Sequence, residues 1–157
     1  MVDYLEKIDR GLIIEKPKIL LPWDLQKKDI FDKINGIKIK VVNEKYYTFK
    51  IVLSGISFIN CVGLHFEKER LSEVELFNNE EYWRESEIED VFCNHQLVLE
   101  SIFGIPYRNK LLEKLKGLNK EYIWKFRCVT MIHKLWDRFG MEENLRIYIN
   151  IREFRKS

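Results

Sequence analysis

The stretch from Ile123 to Ile151 restricts the fold more than any other part of this chain. It reads as a strand over 123–136, a connection over 137–143 and a second strand over 144–151. In the first strand Trp124, Phe126, Cys128, Thr130, Ile132 and Trp136 fall on one face. In the second, Leu145, Ile147, Ile149 and Ile151 do the same. Successive strand side chains point to opposite faces, so period-two patterning of this kind marks strands with one buried side. Gly140 supplies a residue tolerant of positive φ in the connection. The spacing predicts a long C-terminal hairpin that delivers two tryptophans and a row of isoleucines to a core.

The rest of the chain is read against that hairpin. Residues 12–22 form a short apolar segment interrupted by Pro17, which suits an edge strand because proline cannot donate to a ladder. Asp24 is placed to cap a helix over Leu25–Ile34, with Ile30, Phe31 and Ile34 as its buried stripe and Asn35–Gly36 as its stop. A meander follows. Ile37, Ile39 and Val41 alternate with lysines. Tyr47, Phe49, Ile51 and Leu53 make a second strand, and Ile56, Phe58, Val62, Leu64 and Phe66 a third. The polar run 67–70 turns the chain, and Val74 and Leu76 complete a fourth strand. Short connections between alternating strands imply antiparallel pairing.

After a polar stretch over 78–87, Ser86 and Glu89 have the spacing of a capping box. Behind it Ile88, Val91, Phe92, His95, Leu99, Ile102 and Phe103 keep helical periodicity until Gly104 and Pro106 end it. A second, more basic helix is expected over Tyr107–Leu118. The fold class expected is α+β. An antiparallel sheet of about six strands, meander plus hairpin, carries two or three helices on one face.

A chain of 157 residues suits a single domain, 1–157, and 46% hydrophobic content supplies its core. A net charge of +2 is too small to argue for nucleic acid or an anionic membrane. Cys61, Cys93 and Cys128 are odd in number and far apart, which points to free thiols in a reducing compartment. The N-terminus is charged from Asp3 onward and lacks the apolar run of a signal peptide, and no stretch has the length of a membrane span. The expected location is the cytoplasm.

The residues that could do chemistry are sparse. Cys93 and His95 are the closest pair of metal-ligand type, but on a helix two positions apart they diverge by about 200°, so no metal and no cofactor are expected. His95, on the apolar stripe, is expected to be hydrogen-bonded and partly buried. His65 stands on the strand face opposite Leu64 and Phe66. His133 and Asp137, four apart on a strand, share a face and offer the one arrangement in which a carboxylate orients an imidazole. No nucleophile elbow, phosphate-binding glycine loop or zinc-protease motif is present.

Charge is distributed unevenly. Residues 67–90 hold ten acidic and three basic side chains, whereas 108–127 hold seven basic and two acidic. The basic segment reads as the outer face of an amphipathic helix rather than as a nucleic-acid site. The acidic segment carries aromatics, and Phe77, Glu80, Glu81, Tyr82, Trp83 and Glu85 form the candidate partner-binding surface. Aromatic anchors in a one-signed field suit a protein interface, and the partner would be basic.

Four segments also carry a resemblance: LLPWDLQKKDI, LHFEKERLSEVELF, HQLVLESIFGIP and the closing WKFRCVTMIHKLWDRFGMEENLRIYINI. Together they resemble the small α+β immunity proteins encoded beside bacterial polymorphic or contact-dependent toxins. The resemblance implies a cytoplasmic, non-enzymatic binder that neutralises a toxin by blocking its active site or a neighbouring surface. It assigns no individual residue a role. The competing readings are an enzyme built on His133 and Asp137, and a structural or oligomerising subunit.

Overall fold

The computed structural model describes residues 3–80, 87–111, 114, 119–137 and 140–150. Among them are three α-helices, α1 (Tyr4–Lys7), α2 (Ile30–Lys33) and α3 (Ile88–Phe103). The strands are β1 (Gly11–Ile14), β2 (Ile19–Pro22), β3 (Lys40–Asn43), β4 (Tyr46–Lys50), β5 (Cys61–Glu67), β6 (Arg70–Phe77), β7 (Tyr107–Arg108), β8 (Lys120–Lys125), β9 (Val129–Asp137) and β10 (Met141–Ile149). The fold is α+β. Strands β3 to β10 make one eight-stranded antiparallel sheet in the order β3-β4-β5-β6-β10-β9-β8-β7, and β1 and β2 pair as a separate hairpin. The sheet is therefore wider than the six strands expected.

Two meanders meet at its centre. β6 pairs with β10 through Leu76↔Leu145 and Val74↔Ile147, joining the meander β3–β6 to the meander β7–β10. The inner face buries Tyr47, Phe49, Val62, Leu64, Phe66, Leu71, Val74, Leu76, Met131, Leu145 and Ile147. These residues join Tyr4, Ile8, Leu12, Ile14, Leu21, Trp23, Leu99 and Phe103 in one cluster, so α1, the β1–β2 hairpin and α3 cover that face. Trp23, wholly enclosed, also donates its indole N–H to the Ile8 carbonyl. The opposite face carries Tyr46, His65, Glu75, Ile132 and Arg146, all only partly shielded.

Several expected elements take a different form, each for a tertiary reason. Residues 12–22 make a hairpin, not one edge strand, with Pro17 in its turn. The helix expected from Leu25 starts late, because the Leu71 N–H bonds to the Leu25 carbonyl and the Lys27 N–H to the Glu69 carbonyl. The chain is held extended through Gln26 against the start of β6, a single 3-10 turn forms over Lys27–Asp29, and Ile30–Lys33 closes into α2. Ile30 and Ile34 are buried as expected, whereas Phe31 is exposed. The strand expected from Ile56 begins at Cys61; Ile56 and Ile59 are buried from an irregular loop instead. Tyr107 and Arg108, placed in a basic helix by their sequence context, form β7 and pair with Ile123 and Tyr122.

The long strand over 123–136 is in fact two strands. The chain reverses at Phe126–Val129, where the Phe126 N–H bonds to the Val129 carbonyl. This changes which residues face the core. Trp124 is buried as expected, but beyond the turn Val129, Met131, His133 and Leu135 point inward, and Thr130, Ile132 and Trp136 outward. The turn lacks glycine and proline and is capped from afar. The Cys128 N–H donates to Asp9 Oδ1 (3.1 Å). The Asn150 side chain donates to the Arg127 carbonyl (3.3 Å).

The parts that match the sequence reading are those with local signals. α3 spans Ile88–Phe103, with the Gly104 N–H closing it on Glu100 and Gly104 at φ +82°. Ser86, half of the expected capping box, lies outside the described residues, and Glu87 at the helix start makes no side-chain cap. Strands β5 and β6 turn through Lys68 and Glu69, both left-handed at φ 47° and 64°, as a two-residue hairpin with right-handed strand twist demands.

Candidate functional site

The sheet parts at its own centre. β6 pairs with β10 only over Glu73–Leu76 and Leu145–Tyr148, while β10 begins four residues earlier at Met141. Past Phe77 the chain leaves β10 and turns toward the loop before β5. The Asn60 N–H bonds to the Phe77 carbonyl, the Asn78 side chain donates to the Phe58 carbonyl (3.3 Å), and the Asn79 N–H donates to Asn60 Oδ1 (3.1 Å). The separation leaves a cleft of about 400 Å³. Its apolar walls are Phe58, Ile59, Phe77, Ile88 and Met141, and Glu142 and Glu143 lie on its β10 side with His95.

A polar network lies against this cleft. Glu143 faces inward, opposite Leu135 and two residues before Leu145. Its Oε1 accepts from His133 Nε2–H (2.7 Å), and both of its oxygens lie within 2.9 Å of His95 Nδ1. His133 is fully buried, and its Nδ1 meets the Gln96 side-chain amide, 2.7 Å from Oε1. Gln96 in turn donates to Glu100 Oε1 (2.8 Å). Each imidazole also lies flat on a phenyl ring: His133 on Phe92 at 4.1 Å, His95 on Phe58 at 3.8 Å.

The electrostatics follow from that enclosure. Burial by itself would raise the Glu143 carboxyl, but the hydrogen bonds and positive potential from His133 and His95 outweigh it and bring it from 4.5 down to about 2. Burial, the largest influence on His133, pushes its imidazole below the ordinary value, with Glu143 pulling the other way. The cluster is thus a carboxylate, ionised at neutral pH, held by two stacked imidazoles. His95 also lines the cleft.

A second histidine–glutamate cluster occupies the outer face. His65 stacks on Tyr46 at 4.2 Å, and its Nε2 is 3.5 Å from Glu75 Oε2, in ion-pair range. Tyr46 Oη–H donates to the same oxygen (2.8 Å). Arg146 reaches both Glu75 and Glu73. Gly63 makes the arrangement possible, since a Cβ there would stand 2.6 Å from the Tyr46 ring. Contact with His65, followed by Tyr46 and Arg146, holds Glu75 below the usual carboxylate range against the opposing effect of burial.

Of the sequence candidates, Phe77 is half-buried and lines the cleft. Glu80 is exposed and pairs with Lys50 Nζ at 2.8 Å. Glu81, Tyr82, Trp83 and Glu85 lie outside the described residues. The acidic run does not present a uniform field, because the fold supplies it with cations: Glu69 pairs with Lys27, Glu73 and Glu75 with Arg146, and Glu89 with Lys120. The last pair joins the acidic and basic segments directly. His133 and Asp137 do not meet; His133 turns to Gln96 and Glu143, and Asp137 is exposed at the strand end. His95 is hydrogen-bonded and partly buried, in line with its place on the helix stripe.

Gln96 and Glu143 escaped the sequence reading. Gln96 had a signal, since it continues the i, i+4 series of Ile88 and Phe92 into the core, and a buried amide needs polar partners. Glu143 had none, because it looked like part of a turn. Among the described residues no three His, Cys, Asp or Glu side chains are grouped to hold a metal, and no helix is long and apolar enough to cross a membrane. No protein-family model, curated protein or solved structure matches the chain.

Proposed function

We propose that this chain is a non-enzymatic, cytoplasmic protein-binding module of the immunity type, which binds a basic bacterial toxin and occludes its active site or an adjoining surface. The observation that carries the reading is the cleft at the parted β6–β10 seam. It combines apolar walls with carboxylates, and Phe77, the first aromatic of the acidic segment, is one of those walls. Apolar anchors inside a polar margin are the anatomy of a protein interface. Among the described residues Glu143 is committed to two histidines, which favours a binding surface over a catalytic one.

The test is co-expression with the toxin domain encoded beside this chain. Growth should be rescued, and the two proteins should co-elute as a complex. Charge reversal at Glu80, Glu81 and Glu85 together should slow association and flatten its dependence on salt. Unrelieved toxicity together with separate elution of the two proteins would sink the reading.

A further inference from the structure

The interrupted ladder specifies how a partner engages. In an antiparallel strand, residues alternately direct their N–H and C=O groups to one neighbour and then to the other. β9 pairs along β10 from Met141 to Ile149, but β6 reaches only Leu145–Tyr148. Two residues of Met141–Asn144 therefore direct backbone groups toward the side that β6 has vacated. Among the described residues no strand takes that side.

The side chains around the vacancy are complementary to one kind of occupant. Glu142 is exposed and makes no ion pair among the described residues, and it shares the outer face with its cross-strand partner Trp136. Phe58, Ile88, Met141 and Leu145 offer apolar contact to the cleft. Among the described residues that line it there is no Lys or Arg.

We propose that a protein partner adds an extended segment to the first half of β10, collinear with β6. The segment alternates basic with apolar residues. A Lys or Arg stands opposite Glu142, and the neighbouring apolar side chains turn inward to the cleft. Main-chain bonds supply the register and the pockets the selectivity, as in strand addition generally. Opposite charges facing each other across paired strands add to the attraction. The inference rests on the protein-binding reading above and names how the partner is held.

Selection from a phage-displayed library of random twelve-residue peptides tests it. Enriched peptides should alternate Lys or Arg with β-branched or aromatic residues. A synthetic copy should slow amide exchange at Met141–Asn144 and lose about tenfold in affinity for the Glu142→Lys protein, a change of about 1.4 kcal/mol. Glu142 is exposed, so this variant should keep the wild-type unfolding midpoint, which is to be checked alongside. No enrichment over an unrelated protein, no basic bias, protection elsewhere, or equal affinity for Glu142→Lys would each overturn the proposal. If toxin rescue succeeds while the peptides behave in one of these ways, the strand-addition proposal fails and the immunity reading stands. Peptides that dock as described without rescue would uphold strand addition and remove the immunity reading.

Discussion

On the inner face of the sheet Glu143 lies between His133 and His95; on the outer face Glu75 lies beneath His65, Tyr46 and Arg146. The two clusters share a plan: a glutamate, and imidazoles stacked on aromatic rings. They differ in what neutralises the carboxylate. Inside, the described groups that reach it are imidazoles, one of them fully buried, and its carboxyl moves down to about 2. Outside, a guanidinium on the neighbouring strand shares the charge, and solvent screens the remainder. The two carboxylates are shielded to a similar degree, 18% and 23% exposed, so the difference lies in their partners: His133 is fully enclosed, whereas His65 and Arg146 keep about a third of their side chains in solvent. An enclosed donor that loses its acceptor finds no water to replace it.

The largest effect should follow from breaking the inner cluster. Glu143→Ala leaves the buried His133 and the partly buried His95 without their acceptor and should cost about 3 kcal/mol in urea unfolding, the range for removing one partner of a buried ion pair. The matching Glu75→Ala, whose partners His65 and Arg146 keep 31% and 30% of their side chains exposed, should cost about 1 kcal/mol. Equal losses would dissolve the distinction between the faces.

Acid should separate the clusters next. The folded value of Glu143 is depressed, so its contribution is complete above the unfolded value of 4.5 and disappears as pH falls through about 2. That window should account for about 3 kcal/mol of lost stability, measurable by urea unfolding at stepped pH. Glu143→Gln should flatten this limb of the profile, and Glu75→Gln should leave most of it. A wild-type profile that is flat between those values would contradict the geometry of the inner cluster.

On the outer face alone, Arg146→Met should cost about 1 kcal/mol, since it frees Glu73 and Glu75 to meet solvent. The smallest effect is expected where no burial is involved. Exchanging Lys50 for Gln removes the exposed pair with Glu80 and should leave the thermal midpoint unchanged, which calorimetry would show.

The legible features of this chain were those encoded over a few residues. The helix Ile88–Phe103 could be read because its apolar period and its Gly104 stop lie within it. The β5–β6 hairpin could be read because two alternating runs flank a polar turn. The reversal at Phe126–Val129 could not. Both of its strands alternate with the same period, and its turn has no glycine or proline to mark it. Lys134 was the hint available: it shares a face with Thr130, Ile132 and Trp136, which argues that this face meets solvent. The site was less legible still. His95 was placed correctly on its helix, but its partner Glu143 sits 48 residues away, in a stretch that reads as a turn.

By itself the sequence determined that this chain forms alternating strands with one buried side and a long amphipathic helix, because those patterns depend on the geometry of a single element. Only the tertiary structure decided where the long apolar run reverses, since Asp9 and Asn150 cap that turn from outside it. Only the tertiary structure brought His133 to Glu143 instead of Asp137, because the reversal sets which side of β9 faces the core. The cleft has the same origin: it exists because Asn60, Asn78 and Asn79 draw one strand away from another, a competition between hydrogen bonds that no local pattern records.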